Sequence, residues 1–250
     1  MISKSFLGLL IYYLILTIFP FSFNLKKPFF IFYEFFYFIF PIIFFHCNLK
    51  KLVKIGLLAL LVSYPIGLIS HNVALWYDAY FYPKLLDFGE IDFYGILWYP
   101  FSSFFILGYL TYLLKEDIIF NVNLIFLAII ISTLVFLLFF FLKNVLPSFY
   151  SYQYVLLVPL IPTFYGIFKK YFSYFHFKLF LFVFLIFLIY EIIGLDQFEG
   201  WIFPGNYIVK IVFYKNGIPL EEIIFFCVLN FFCTLSLKEF FTKKSKRERK

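Results

Sequence analysis

The chain has 250 residues, 64% of them hydrophobic, 27% aromatic and only 14% charged, with a net charge of +7 and a mean hydropathy of +0.96. A soluble domain carries about 25% charged residues, so a water-exposed globular fold is excluded and the apolar runs are read as spans of about 20 residues each. The 44 Phe residues accompany abundant Ile, Tyr and Lys and scarce Ala and Arg, as an A+T-rich coding sequence would write, so most of them are expected to face lipid or pack between helices.

Eight helices are predicted in chain order, near 5–23, 28–47, 55–75, 95–114, 118–142, 152–168, 178–195 and 219–237. The fold class is therefore all-α, a polytopic membrane helical bundle. The first run, MISKSFLGLLIYYLILTIFPFSF, begins with Lys4 as a signal peptide would. Its apolar part is too long for one and no small-residue cleavage site follows, so it reads as the first span. Pro159 and Pro162 interrupt the sixth, VLLVPLIPTFYG, and a seven-span bundle is the alternative. Proline is tolerated in membrane helices where neighbours satisfy the freed backbone groups.

Lys and Arg near span ends collect on the cytoplasmic side. With eight spans one side holds 15 basic residues and the other 6, seven of the 15 lying in KEFFTKKSKRERK. This places both termini in the cytoplasm. The basic tail reads as an anchor near anionic headgroups. No recognition module accompanies it, so nucleic acid is not an expected partner. The expected divisions are a first membrane half (1–115), a second (116–241) and the basic tail (242–250).

Cys47, Cys227 and Cys233 show no paired spacing, which argues against a disulfide framework. His46, His71 and His176 are isolated, so zinc spacing is absent, and each is read as a packed or interfacial residue. Glycine-rich phosphate or dinucleotide loops are also absent, so no cofactor is indicated.

The acids gather elsewhere. Asp78, Asp87, Glu90, Asp92, Asp196, Glu199, Glu221 and Glu222 fall in or beside the third-to-fourth and seventh-to-eighth connections, the two longest. Long connections in a compact protein are often functional. These two echo each other. Each opens with aromatic-x-aromatic-Pro, Tyr80 to Pro83 and Trp201 to Pro204. Each has a Phe-Tyr pair, Phe93-Tyr94 and Phe213-Tyr214. Each reaches a proline that begins a helix, Pro100 or Pro219. The echo predicts two parallel repeats of four helices with a site between them. At the position of Glu221-Glu222 the first half has Ser102-Ser103.

Two readings are open for GIPLEEIIFF. Proline favours the first position of a helix, and acids in its first turn interact well with the helix dipole, by about 0.3–1 kcal/mol. Alternatively the two carboxyls are chemistry. They point about 100° apart on a helix, so one can face a cavity and the other a partner. Glu34, the lone acid of FFIFYEFFYFIF, is placed mid-span, and an ionisable residue there is by default functional, with a partner to be found. Glu191 closes span seven in LIYEIIG, with an interfacial and a functional reading equally weighted.

The stretch LDQFEGWIFPGNYIVKIVFYKNGIPLEEIIFF carries Asp196, Trp201-Ile202-Phe203, Gly217-Ile218-Pro219-Leu220-Glu221-Glu222 and Phe225-Phe226. In this it resembles the lycopene cyclase domain of the small membrane type, found as heterodimeric subunits in some bacteria and as fused proteins in archaea and fungi. The match covers about 35 residues well, and the first half loosely. Family members usually carry acids in both halves, and Asn72 or Asp78 is the candidate for the missing one. The resemblance implies acid-initiated, non-redox ring closure of a linear C40 carotenoid end. A carboxylic acid protonates a double bond, a base removes a proton, and aromatic faces stabilise the cation. It implies Glu221, Glu222 and Asp196 as catalytic residues, with Trp201, Phe203, Phe225, Phe226 and Glu34 against the substrate. The competing reading is a non-enzymatic membrane protein that binds or carries an apolar lipid or pigment. Prenyl transfer is disfavoured, since Asp196-x-x-Glu199 is too thin to hold diphosphate-bound Mg²⁺. Association with a second copy or a partner subunit is left open.

Overall fold

The structure is a computed structural model and describes residues 4–23, 29–46, 48–79, 87–88, 91–92, 94–198, 203, 207–213 and 216–242. The described residues are mostly helical. The helices are α1 (Lys4–Ser22), α2 (residues 30–45), α3 (Leu49–Trp76), α4 (Tyr94–Leu114), α5 (Val122–Leu142), α6 (Ser151–Phe168), α7 (Tyr174–Asp196) and α8 (Leu220–Phe241). Of these, α3, α5, α6, α7 and α8 are long and apolar enough to cross a membrane, and α1, α2 and α4 contain shorter apolar stretches. The apolar runs dictate this outcome, because in lipid every backbone group must be bonded within its own segment.

Helix starts and ends differ from expectation where charges ride on helices. Asn48 caps α3 by accepting the Lys51 backbone N–H at 3.3 Å, so Lys50, Lys51 and Lys54 belong to α3 and not to a loop before it. Lys51 Nζ then reaches the Thr111 carbonyl near the end of α4. Asp78, Lys115 and Lys170 adopt positive φ just beyond α3, α4 and α6, the left-handed turn that commonly ends helices. Pro159 and Pro162 lie inside a continuous α6.

Both long connections carry a short antiparallel strand pair. β1 (Asp87–Phe88) pairs with β2 (Ile91–Asp92), and β3 (Lys210–Phe213) pairs with β4 (Asn216–Pro219) in the register Lys210↔Pro219 to Phe213↔Asn216. Neither pair was expected. β4 runs directly into α8, with Pro219 extended at its cap. The corresponding expectation for Pro100 fails: α4 begins at Tyr94 and Pro100 lies within it. Cys47, Pro83, Glu199, Pro204 and the tail from 243 lie outside the described residues.

Helix α8 is the axis of the bundle. In its most apolar window 83% of residues are buried, against 11% for α5. It packs along α3, α4, α6 and α7. Gly166 of α6 permits the close crossing with α8, since a Cβ there would lie 2.7 Å from the Phe172 ring and overlap the Ser236 hydroxyl. Across the α3–α4–α8 contact runs a buried hydroxyl ladder. Ser63 donates to Ser103 at 3.2 Å, Ser103 meets Thr234 at 3.5 Å, and Asn230 Nδ2 donates to Ser102 at 2.9 Å.

Three π-helical turns interrupt the regular helices: Phe35–Ile39 in α2, Ile66–Ser70 in α3 and Ile223–Leu229 in α8. A π turn removes regular i−4 bonds and is frequent at functional sites. Its freed carbonyls find other donors here. Tyr12 and Tyr13 of α1 donate to the carbonyls of Phe36 and Tyr37, at 2.5 and 3.1 Å, and Asn72 Nδ2 donates to that of Leu68 at 2.8 Å.

Candidate functional site

The carboxyl groups converge from three helices. Glu34 ends the first α-helical turns of α2 immediately before its π turn, and so stands near the start of that helix and not at its middle. Glu191 lies in α7, 2% exposed, and Glu222 lies at the start of α8, 3% exposed, immediately before its π turn. Glu34 is 1% exposed. Glu34 and Glu191 are within electrostatic reach of each other, and Glu191 and Glu222 both act on the Cys227 thiol.

Tyr190 of α7 binds this group together. Its hydroxyl donates to Glu34 Oε1. Its ring lies 4.7 Å from Phe38, 5.5 Å from Tyr37, 6.0 Å from Phe30 and 5.7 Å from Phe226. Phe226 in turn stacks on Phe187 at 4.9 Å. Tyr37 donates its hydroxyl to the Ile186 carbonyl at 2.8 Å, fixing α2 against α7. The shell around the acids is thus aromatic and locked in place.

The acids are poorly compensated. Among the described residues the Oε2 atoms of Glu34, Glu191, Glu222 and also Glu221 are buried with no hydrogen-bond partner, as is the Tyr33 hydroxyl beside Glu34. Among the described residues the ion pairs belong to Lys238, which contacts Glu116 at 2.5 Å and Glu239 at 2.7 Å, away from this group. Ionising a buried carboxyl costs energy unless a cation or a hydrogen-bond donor meets its charge, and Tyr190 is such a donor to Glu34. Among the described residues no group of three His, Cys, Asp or Glu side chains is arranged to hold a metal ion.

The sequence candidates separate in space. Glu222, Phe226 and Glu34 share the site. Glu221 faces elsewhere, as the 100° offset requires: its Oε1 accepts the Ile208 backbone N–H at 2.7 Å. With the bond from Leu220 N–H to the Val209 carbonyl at 2.8 Å, this clamps the segment before β3 onto the start of α8. Phe225 turns toward Tyr99 of α4, 5.9 Å between ring centres. Phe203 is buried against Tyr152 and Tyr207. Asp196 is buried at the end of α7, five residues and so about 7.5 Å of helix rise beyond Glu191. Trp201 lies outside the described residues. Ser102 and Ser103 meet Asn230 and Thr234 in the hydroxyl ladder, about two to three turns further along α8 than Glu222. Tyr190 and Tyr33 carry no charge and hide among 21 tyrosines; the Tyr-Glu dipeptides of LIYE and FYE, each joining a tyrosine to a span acid, are the signal along the chain that points to them.

A separate groove of about 560 Å³ opens on the outer face of α1 and α2, lined by Tyr12, Phe40, Pro41, Phe44, Phe45 and Tyr112. Six residues separate Phe40 from Glu34, about 9 Å of helix rise. Both Cys227 and Cys233 are buried free thiols. No protein-family model, curated protein or solved structure matches this chain.

Proposed function

We propose that the chain is an intramembrane carotenoid cyclase that closes the end of a linear C40 polyene into a ring without net redox change. The observation that carries this reading is the convergence of Glu34, Glu191 and Glu222, each with an unpartnered buried oxygen, around Tyr190 and Phe226. Ring closure needs a proton donor, a proton acceptor and a surface that tolerates a cation in apolar surroundings. Uncompensated carboxyls supply the first two. Aromatic faces supply the third, by about 0.5–2 kcal/mol per cation–π contact. The resemblance of GIPLEEIIFF and its upstream segment to the small membrane lycopene cyclases supports the same chemistry, with Glu222 as the acid.

In this reading eight helices cross the membrane in two parallel halves, with both termini cytoplasmic. The strand pairs that precede α4 and α8 support the pairing of halves. Expression in a lycopene-accumulating bacterium tests the proposal: ring-bearing products are expected, and unchanged lycopene beside well-inserted protein overturns it.

A second reading is a non-enzymatic carrier of an apolar lipid or pigment. The aromatic groove on α1 and α2 favours it, since its walls suit a hydrocarbon chain and carry no charged group. Pigment or lipid that copurifies chemically unchanged would identify the carrier.

A further inference from the structure

We infer that Glu34, held by Tyr190, is the proton acceptor of the site, and that α2 thereby supplies the acid that Ser102-Ser103 do not. This rests on the cyclase reading and adds an assignment to it. The echo of GIPLEEIIFF in the first half ends in serines committed to the ladder with Asn230 and Thr234, so no carboxyl enters the site from α4. Glu34 enters it instead, from a helix outside the echo. Its Oε1 accepts the Tyr190 hydroxyl, which fixes the carboxyl's orientation and leaves Oε2 buried and unbonded. The Tyr33 hydroxyl is a second polar group, 4% exposed and without a partner, packed at 5.1 Å on Phe198 and at 5.4 Å on Tyr37 beside the same carboxyl. Glu221 also keeps one oxygen unbonded; what sets Glu34 apart is its bond to Tyr190, whose ring meets Phe38 and Phe226.

The step balances as an isomerisation. The Glu222 carboxylic acid gives its proton to one carbon of the terminal double bond, leaving a carboxylate and a tertiary cation. The electron pair of a nearer double bond forms the ring carbon–carbon bond, and the positive charge moves into the ring. The Glu34 carboxylate takes a proton from a carbon next to the cation, whose C–H electron pair becomes the ring double bond. A proton passes back from Glu34 to Glu222 before the next turnover. One donor and one acceptor from different halves form one composite site, which handles one substrate end at a time. Tyr190 is a positioning residue: it sets the direction from which Glu34 reaches the cation, and so which proton leaves.

The test uses the full chain in membranes of a lycopene-producing bacterium, with membrane protein levels measured for every variant. Glu34→Gln is expected to lower ring-bearing product by about 100-fold or more, the usual size of a general-base effect, while Glu34→Asp retains a measurable fraction. Tyr190→Phe is expected to change the ratio of ring double-bond isomers, a readout that loss of stability alone does not move. Wild-type amounts and isomer ratio from inserted Glu34→Gln overturn the assignment and leave the cyclase reading standing. An unchanged isomer ratio in active Tyr190→Phe overturns the positioning role. Unchanged lycopene with wild-type protein overturns the cyclase reading, and the assignment with it.

Discussion

Glu221 accepts the Ile208 backbone N–H at 2.7 Å, while Glu222 beside it is buried within electrostatic reach of the Cys227 thiol, as Glu191 is. Two adjacent acids thus divide into a clamp and a chemical group. Glu222→Gln is expected to remove cyclised product by 10²–10⁴-fold, the range for a general acid, with thermal stability in detergent within about 1 kcal/mol of wild type. Glu221→Gln keeps an acceptor for Ile208 and is expected to retain product. Glu221→Ala is expected to lose about 1–2 kcal/mol and to expose the segment around Ile208 to proteolysis. Carotenoid analysis and limited proteolysis separate the two roles.

The hydroxyl ladder makes a stability prediction independent of activity. Asn230→Leu removes the donor to Ser102 and leaves that hydroxyl buried in α4. Interhelical hydrogen bonds in membranes average about 0.6 kcal/mol, with a maximum of about 1.7, so a loss of about 1 kcal/mol is expected in detergent unfolding. A loss above about 3 kcal/mol would show that the ladder does more than join helices.

At Gly166 the constraint is steric. Gly166→Val places side-chain atoms where Ser236 and Phe172 already stand, and overpacking of this kind costs about 1–3 kcal/mol. A compensating Ser236→Gly is expected to restore part of that loss, because it removes one of the two obstructions. Thermal unfolding of the single and double variants checks the coupling.

The Lys238 group laces the end of α8 to the segment between α4 and α5. Lys238 contacts Glu116 and Glu239, whose side chains are 22% and 23% exposed, while its own is 7% exposed. The Asn121 N–H to Phe241 carbonyl bond at 2.7 Å adds to the lacing. Breaking a fully buried pair by removing one partner costs about 3–5 kcal/mol; partial exposure of the acids lowers the expectation for Lys238→Met to about 1–3 kcal/mol. Hydrogen exchange at Asn121 and Thr242 is expected to accelerate in that variant.

The helices were legible because apolar length alone sets them. The run at 95–114 became Tyr94–Leu114, and that at 152–168 became Ser151–Phe168. The boundaries moved most where lysines ride on helix ends. Lys54 marked a loop by charge, yet it lies inside α3 because Asn48 caps that helix. Lys238 belongs with the basic tail by charge, yet it is buried in α8 because Glu116 and Glu239 neutralise it. The π turns left no trace in periodicity, since the positions within them are nearly all apolar. Glu222 and Glu34 were legible as charges in grease. That they meet was not, because their juncture is made by Tyr190, and the pairing of a phenol with a carboxyl across 156 residues has no pattern along the chain.

The burial of α8 has a consequence for biogenesis. The helix that is most enclosed by protein follows seven others in synthesis, and it carries Glu222. Until it arrives, α2 and α7 present Glu34 and Glu191 to each other and to lipid with the axis of the bundle vacant. Helices α3, α4 and α6 likewise wait without the partner they share. Completion of the bundle core and assembly of the acid group therefore both depend on the last helix to be synthesised.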